Sequence, residues 1–173
     1  MQEDLTERIQ SQQTKIEEMA LKVPGYAGYK QKEQRREADR LLRHYVARRY
    51  EEQLGRIQTV QHGMSSQGRL TTLLALDRAV VKLQLLIDRI KTASYGYSGL
   101  FDALKVDEDT LDALYDFDRM MLSGVDEISA ILDRLEDAAR SGADLEQETT
   151  ELVTRADGLN NTFSRRQDVI LGQ

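Results

Sequence analysis

Apolar residues recur every three or four positions along most of this chain, which is the spacing of α-helices that bury one face. The recurrence stops where glycines cluster and at Pro24, because proline removes a backbone donor and the residue before it avoids the helical region. The pattern predicts five helices. They span residues 2–22, 30–62, 69–93, 108–141 and 145–171.

The third predicted helix has the most regular pattern. Its main stripe alternates spacings of three and four residues, as in a heptad repeat. That stripe consists of Leu73, Leu76, Val80, Leu83, Ile87 and Ile90. Leu74, Val81 and Leu85 form a second apolar stripe beside it. Because a helix that is apolar on two faces is normally surrounded by other helices, the pattern predicts that this helix lies in the middle of a bundle.

The fourth and fifth predicted helices have the same spacing. The fourth carries Leu111, Leu114, Asp118, Met121, Val125, Ile128, Leu132 and Leu135, and the fifth carries Leu145, Thr149, Leu152, Ala156, Leu159 and Phe163. Short turns at 63–68 and 141–144 favour antiparallel neighbours. We therefore expect an all-α fold, an elongated antiparallel bundle of about four long helices plus an N-terminal helix, with coiled-coil-like seams. Residues 1–173 would form one domain, with the bundle at 30–171 and helix 2–22 partly detached.

Composition agrees with long helices and narrows the class of protein. The 173 residues include one proline and no cysteine, and 31 % are charged. No apolar run approaches the roughly 18 residues that span a bilayer, so we expect no transmembrane helix. The acidic start at Met1–Asp4 is unlike a signal peptide, which favours a cytoplasmic location. The absence of cysteine excludes a disulfide framework.

Charge is divided unevenly along the chain. Residues 1–94 contain 17 Lys and Arg against 12 Asp and Glu, a net charge of +5, whereas residues 95–173 contain 7 against 18, a net charge of −11. The preferred interpretation is that the two halves pack through complementary faces. The alternative, that the basic half binds nucleic acid or lipid, is weakened by the acidic residues interspersed within it.

Two loops share a short motif. Gly25–Gly28 and Gly96–Gly99 both read GY[A/S]G, and each joins two predicted helices. In one interpretation the glycines permit a tight bend while tyrosines cover the end of the core. In the other, the aromatic residues form a patch that binds a partner, since tyrosine is enriched at interface hot spots. The candidate partner-binding residues are Tyr26, Tyr29, Tyr95, Tyr97 and Phe101, and their clustering in space is a hypothesis.

Two further features are candidates for function. Arg36, Arg40 and Arg43 share one face of the second predicted helix, which would suit phosphate binding, although nearby acidic residues favour a solvated or ion-paired face. Asp118 occupies an apolar seam position, where a buried carboxylate needs a partner such as Arg43 or His44. It would then fix helix register. The alternatives are a functional acid or a position in a wet, widened part of the bundle.

Catalytic and metal-binding patterns are missing from the sequence. The two histidines are not in an E-x-x-H arrangement, and neither a G-x-S-x-G motif nor a phosphate-binding loop occurs. We expect neither cofactor nor metal. The sequence resembles no family that we identify, so the expected function is a non-enzymatic helical interaction or assembly protein, a scaffold or adaptor that binds a protein partner or itself. The alternative is a peripheral membrane-surface or nucleic-acid-binding helical protein, with the membrane surface less favoured and nucleic acid least.

Overall fold

The computed structural model describes residues 32–65, 70–93 and 108–171, with side chains at 40–64, 70–93 and 116–165. These residues form four α-helices and no strand. The helices are α1 (Lys32–Ser65), α2 (Leu70–Thr92), α3 (Glu108–Ser141) and α4 (Glu146–Leu171). They match four of the five predicted helices to within a few residues. The predicted helix 2–22 and both GY[A/S]G loops lie outside the described residues.

The turn between α3 and α4 ends one helix and starts the next. Gly142 has a φ of 73°, a left-handed conformation that glycine adopts without penalty. The amides of Gly142 and Ala143 donate to the carbonyls of Ala139 and Ala138, which is the Schellman arrangement. Asp144 Oδ1 then accepts the amide of Leu145 at 2.8 Å and caps the start of α4. The predicted helix end at Ser141–Gly142 is thus confirmed.

The helices pair as two antiparallel hairpins. Between α1 and α2, Gln61 Nε2 donates to Asp77 Oδ1 at 2.6 Å, and Lys91 forms an ion pair with Glu51. Later residues of α2 thus meet earlier residues of α1. The tight turn after α3 gives α4 the same antiparallel relation to α3. This agrees with the direction that the short turns predict.

The two hairpins lie side by side with like-directed helices adjacent. The order around the bundle is α1, α2, α4, α3, so α1 and α4 occupy opposite corners. The defining contacts are Tyr50 with Met121 and Arg56 with Asp133 between α1 and α3, and Lys82 with Asp157 and Arg89 with Ser164 between α2 and α4. Residue numbers rise together in both pairs, which makes these two neighbouring pairs parallel. Two of the four pairs of neighbouring helices are therefore parallel, whereas we expected antiparallel neighbours throughout the bundle.

All four helices contribute to one core. The predicted seam positions of α3 from Asp118 to Leu135 are buried, as are those of α4 from Leu145 to Phe163. The largest fully buried side chains include Tyr50, Ile57, Leu83, Ile87, Ile128, Leu132 and Leu145. At about 25 cal/mol per Å² of apolar surface removed from water, these side chains supply much of the driving force for folding.

Ion pairs join the basic and acidic halves, as the charge distribution predicts. Arg56 of α1 contacts Asp133 and Glu136 of α3 at 2.6 and 2.8 Å. Lys82 of α2 pairs with Asp157 of α4. In each case the cation comes from residues 1–94 and the carboxylate from residues 95–173.

The expected central position of the third predicted helix is wrong. This helix, α2, packs mainly on α1 and α4, and it occupies a corner of the bundle. Its main stripe faces inward, but Leu74, Val81 and Leu85 of the second stripe are exposed. A heptad-like stripe indicates that a helix surface is suited to contact another helix, but it does not say that the other helix belongs to the same fold.

Candidate functional site

The most unusual surface feature is an apolar stripe along the outward face of α2. Four large apolar side chains remain in contact with water there, and we call them the outer stripe. They are Leu70 (72 % exposed), Leu74 (58 %), Val81 (67 %) and Leu85 (51 %). Among the described residues the only other exposed large apolar side chain is Met120 on α3, at 45 %. Exposed apolar surface is therefore concentrated on one helix.

Helical spacing aligns the outer stripe. Successive members are separated by four, seven and four residues, so all four side chains project within a narrow arc. From Leu70 to Leu85 the stripe is about 22 Å long, at 1.5 Å per residue. The opposite face of α2 carries Leu76, Leu83 and Ile87, which are fully buried. The helix is thus apolar on two opposed faces, and the bundle covers one of them.

Two charged residues of opposite sign lie on the same face of α2 as the outer stripe. Arg78 and Asp88 are exposed on the same face, on either side of Val81 and Leu85. Arg78 forms no ion pair with any other described residue. Asp88 accepts a hydrogen bond from Gln84 Nε2 at 2.9 Å through one carboxylate oxygen. Val81 and Leu85 therefore lie between a cation and an anion, whereas Leu70 and Leu74 lie on the far side of Arg78.

The candidate partner-binding aromatic residues all lie outside the described residues. They are Tyr26, Tyr29, Tyr95, Tyr97 and Phe101. Their predicted clustering stays a hypothesis.

The three candidate basic residues do not form one exposed surface. Arg40 is exposed, whereas Arg43 is buried and its Nη1 lies 3.5 Å from the carbonyl oxygen of Ile90 on α2. The side chain of Arg36 is outside the described set. Because Arg43 faces the α1–α2 interface, it is not available to bind phosphate groups in this fold.

Asp118 is buried at its seam position with 4 % of the residue exposed, and Arg43 is buried with 7 % exposed. Each of the two residues has a polar or electrostatic interaction. Contacts between α1 and α3 join residues that are 71 to 80 positions apart. This offset places Arg43 level with residues 114–123, a range that contains Asp118. The arrangement supports a register role for Asp118 and makes Arg43 the partner that we expect.

Sequence reasoning missed Tyr50, which links α1 to α3. It is fully buried on α1, and its hydroxyl donates to the carbonyl oxygen of Met121 on α3 at 2.8 Å. It also lies close to Gly124 of α3, where an added Cβ would be 2.6 Å from the hydroxyl oxygen. The spacing signal was present, because the buried positions of α1 alternate by three and four residues when polar residues are included. Those positions are Arg43, Val46, Tyr50, Gln53, Ile57, Val60 and Met64.

Burial raises the pKa of the Tyr50 hydroxyl well above its ordinary value, and nearby Arg155 opposes the shift only in part. The unfolded chain releases this proton near pH 10, whereas the folded chain keeps it. The folded state then binds more protons, so the free energy of unfolding should fall as the pH rises above about 10. Urea denaturation from pH 8 to 11 should show a smaller fall for Tyr50→Phe than for the parent chain. Parallel pH dependences would contradict this assignment.

Arg56 holds α1 against α3 through a network of donors. Besides its two carboxylate partners, Nη1 donates to Gln53 Oε1 at 3.1 Å and to Ser129 Oγ at 3.0 Å. The pKa of the Arg56 guanidinium is raised, chiefly by its hydrogen bond to Glu136. Burial lowers this pKa, and Asp133 raises it further. The network fixes the level of α1 relative to α3, a structural role.

Asn160 plays a comparable role between α2 and α4. It is buried, and its Nδ2 donates to the carbonyl oxygen of Lys82 at 2.9 Å. Arg89 donates to the Asn160 carbonyl oxygen at 3.0 Å and lies over the Phe163 ring at 5.2 Å. Buried polar side chains that bond across helices discriminate against shifted registers.

A shallow groove of about 580 Å³ lies between α3 and α4. Its charged lining residues are engaged with one another, since Arg134 contacts Glu151 at 2.5 Å and Arg155 Nε lies 2.7 Å from Glu127 Oε2. In the part of the chain with described side chains, no group of three His, Cys, Asp or Glu residues is placed to hold a metal. None of the four helices is both long and apolar enough to cross a membrane within its described residues.

Comparison with known proteins returns no match, whether to a family model, to a curated protein or to a solved structure. The functional argument therefore rests on the surface of the bundle itself.

Proposed function

We propose that the chain is a non-enzymatic helical interaction or assembly protein, and that the outer stripe of α2 is its contact surface. The observation that carries this proposal is the exposure of four large aliphatic side chains, each between 51 and 72 %, along one face of α2, where Arg78 lies between Leu74 and Val81. Full burial of such a side chain contributes about 1.5–3 kcal/mol. Covering the stripe would therefore be strongly favourable, and contiguous exposed apolar surface is typical of binding sites.

The geometry of the stripe favours a helix as the contacting element. Leu74 and Val81 are seven residues apart, and Leu85 follows Val81 by four. This is the spacing at which a second helix laid along α2 can place its own side chains between successive members. A helix-against-helix contact is also the type of packing that the rest of this fold uses.

A photoreactive amino acid at position 81 tests the proposal in the full-length chain. We expect light-dependent cross-links from position 81, and their loss when Leu74→Gln and Leu85→Gln are added. Position 120 is the matched control, because Met120 is also an exposed apolar residue but lies on α3. Cross-linked products are identified by mass spectrometry.

All these substitutions are at exposed positions, so the thermal unfolding midpoint should stay close to that of the parent chain. Equal yields from positions 81 and 120, or yields that Leu74→Gln and Leu85→Gln leave unchanged, would contradict the proposal. Binding of anionic vesicles that depends on Val81 would instead favour a membrane surface as the contact.

A further inference from the structure

The charges flanking the outer stripe are arranged for contact with a second copy of the same helix. We infer that two copies of this chain associate through their α2 helices in antiparallel orientation, with Val81 of each copy against Leu85 of the other. This inference rests on the proposed function and specifies its partner.

The outward face of α2 has its own heptad-like spacing. Positions 71, 74, 78, 81, 85, 88 and 92 follow one another by alternating threes and fours. Residues at 71, 78, 85 and 92 form one set, and residues at 74, 81 and 88 form the other. In an antiparallel helix pair, each layer combines a residue of one set with a residue of the other set on the second helix.

One register matches every charge with its opposite. When Val81 lies against Leu85 of the second copy, the two-fold axis passes between these positions. The same register places Arg78 against Asp88 of the second copy, and the symmetry repeats both contacts. The interface then has two Val81–Leu85 layers at its centre and an Arg78–Asp88 pair on either side of them. Beyond each ion pair, Leu74 of one copy faces Thr92 of the other.

The neighbouring register lacks this match. Shifting one helix by a heptad places Leu74 against Leu85 but sets Arg78 against Val81 of the other copy. The arginine would then face an aliphatic side chain, and Asp88 would face Thr71. Opposite charges that meet only in one alignment fix register and orientation, because every other alignment leaves them without a partner.

The N-terminal segment of the same chain is a less suitable occupant. Asp77 lies at the middle of the outer stripe, and its contact with Gln61 places that level at residue 61 of α1. This level is about 44 Å along the bundle from Lys32. A helix formed by residues 2–22 would be about 31 Å long, so its centre would reach the stripe only if residues 24–31 were nearly extended.

The affinity that we expect for the dimer follows from the size of the contact. A single pair of helices that touch from Leu74 to Thr92, over about 27 Å, buries less than the roughly 1,200–2,000 Å² of a standard stable interface. We therefore expect a reversible dimer with a dissociation constant in the micromolar range. The two ion pairs would make the dimer weaker at high salt.

Charge reversal in the full-length chain tests the register. Sedimentation velocity over a range of concentrations should show that Arg78→Glu or Asp88→Arg alone weakens dimerisation by about tenfold, since two symmetric pairs change at once. The double variant Arg78→Glu/Asp88→Arg should recover most of the affinity, because each new glutamate meets a new arginine. Met120→Gln should leave dimerisation unchanged. No recovery in the double variant would overturn the proposed register.

Cysteine cross-linking tests the orientation, because the parent chain contains no cysteine. A mixture of Val81→Cys and Leu85→Cys chains should form interchain disulfides faster than either variant alone. Faster cross-linking of Val81→Cys with itself would indicate parallel pairing and overturn the inference.

Two further outcomes separate this inference from the proposed function. A full-length chain that stays monomeric at all concentrations, while position 81 cross-links a different protein, would overturn self-association and leave the interaction role intact. Dimerisation that appears only after residues 1–23 are deleted would identify that segment as the occupant and overturn a second copy in the intact chain.

Discussion

Asp118→Ala is expected to lower the free energy of unfolding by about 3–5 kcal/mol, which is the usual cost of removing one partner from a buried charge pair. Asp118 and Arg43 are both almost fully buried, and the α1–α3 offset places them at the same level. Loss of the carboxylate would leave the Arg43 guanidinium without its expected counter-charge. For a chain of this length, the thermal midpoint should fall by roughly 2–4 °C for each kcal/mol.

A double variant distinguishes pairing from burial alone. In Arg43→Met/Asp118→Leu both charges are replaced by apolar side chains, and stability should return to near or above that of the parent chain. Asp126→Ala is the matched control, because this α3 carboxylate is exposed, and its loss should change stability by no more than about 0.5 kcal/mol. Additive effects of the two single substitutions would mean that Arg43 and Asp118 are not coupled.

Gly124→Ala and Gly55→Ala are expected to change stability in opposite directions. Gly124 of α3 is buried against α1 and α4, and an added Cβ would collide with Leu159 Cδ2 and with the Tyr50 hydroxyl oxygen at 2.6 Å. The gain in helix propensity, about 1 kcal/mol, would be outweighed by overpacking. We expect a net loss of about 1–3 kcal/mol, because Tyr50 is rigid and bonded to Met121.

Gly55 is the matched control within the same bundle. It is exposed near the middle of α1, and nothing lies within 4 Å of a Cβ added there. Alanine should therefore stabilise the helix by about 0.5–1 kcal/mol. Urea denaturation of both variants measures the two changes in the free energy of unfolding. Stabilisation by both substitutions would mean that Gly124 is not needed for close approach of the helices.

Local patterns accounted for most of the helices. The 3-4 spacing identified the buried positions of α3 and α4, and Gly142 and Asp144 marked the boundary between these helices. Such features depend on neighbouring residues and on backbone geometry, so one sequence is enough to reveal them. Polar members of a seam are harder to recognise. Arg43, Tyr50 and Gln53 were missed as a seam because apolar residues alone were counted.

Local patterns did not predict the order of the helices around the bundle, and they did not predict what each apolar face packs against. The connection between α2 and α3 permits either helix of the second hairpin to lie beside α1, and the heptad spacing is the same in both cases. The second stripe of α2 also has the same spacing in either arrangement. Only the packing reveals that Leu74, Val81 and Leu85 face outward, where a contact with another chain would explain them.

The side-by-side arrangement of the two hairpins also has a kinetic consequence. Each hairpin closes through a short turn, whereas α1 meets α3 through residues such as Tyr50 and Met121, which are 71 positions apart. Contacts that are distant in sequence impose a larger loop-closure cost and tend to form late in folding. The hairpins should therefore fold first and dock second. Truncating Arg56 at the docking interface should mainly speed unfolding, whereas replacing Gly142 in the turn should mainly slow folding.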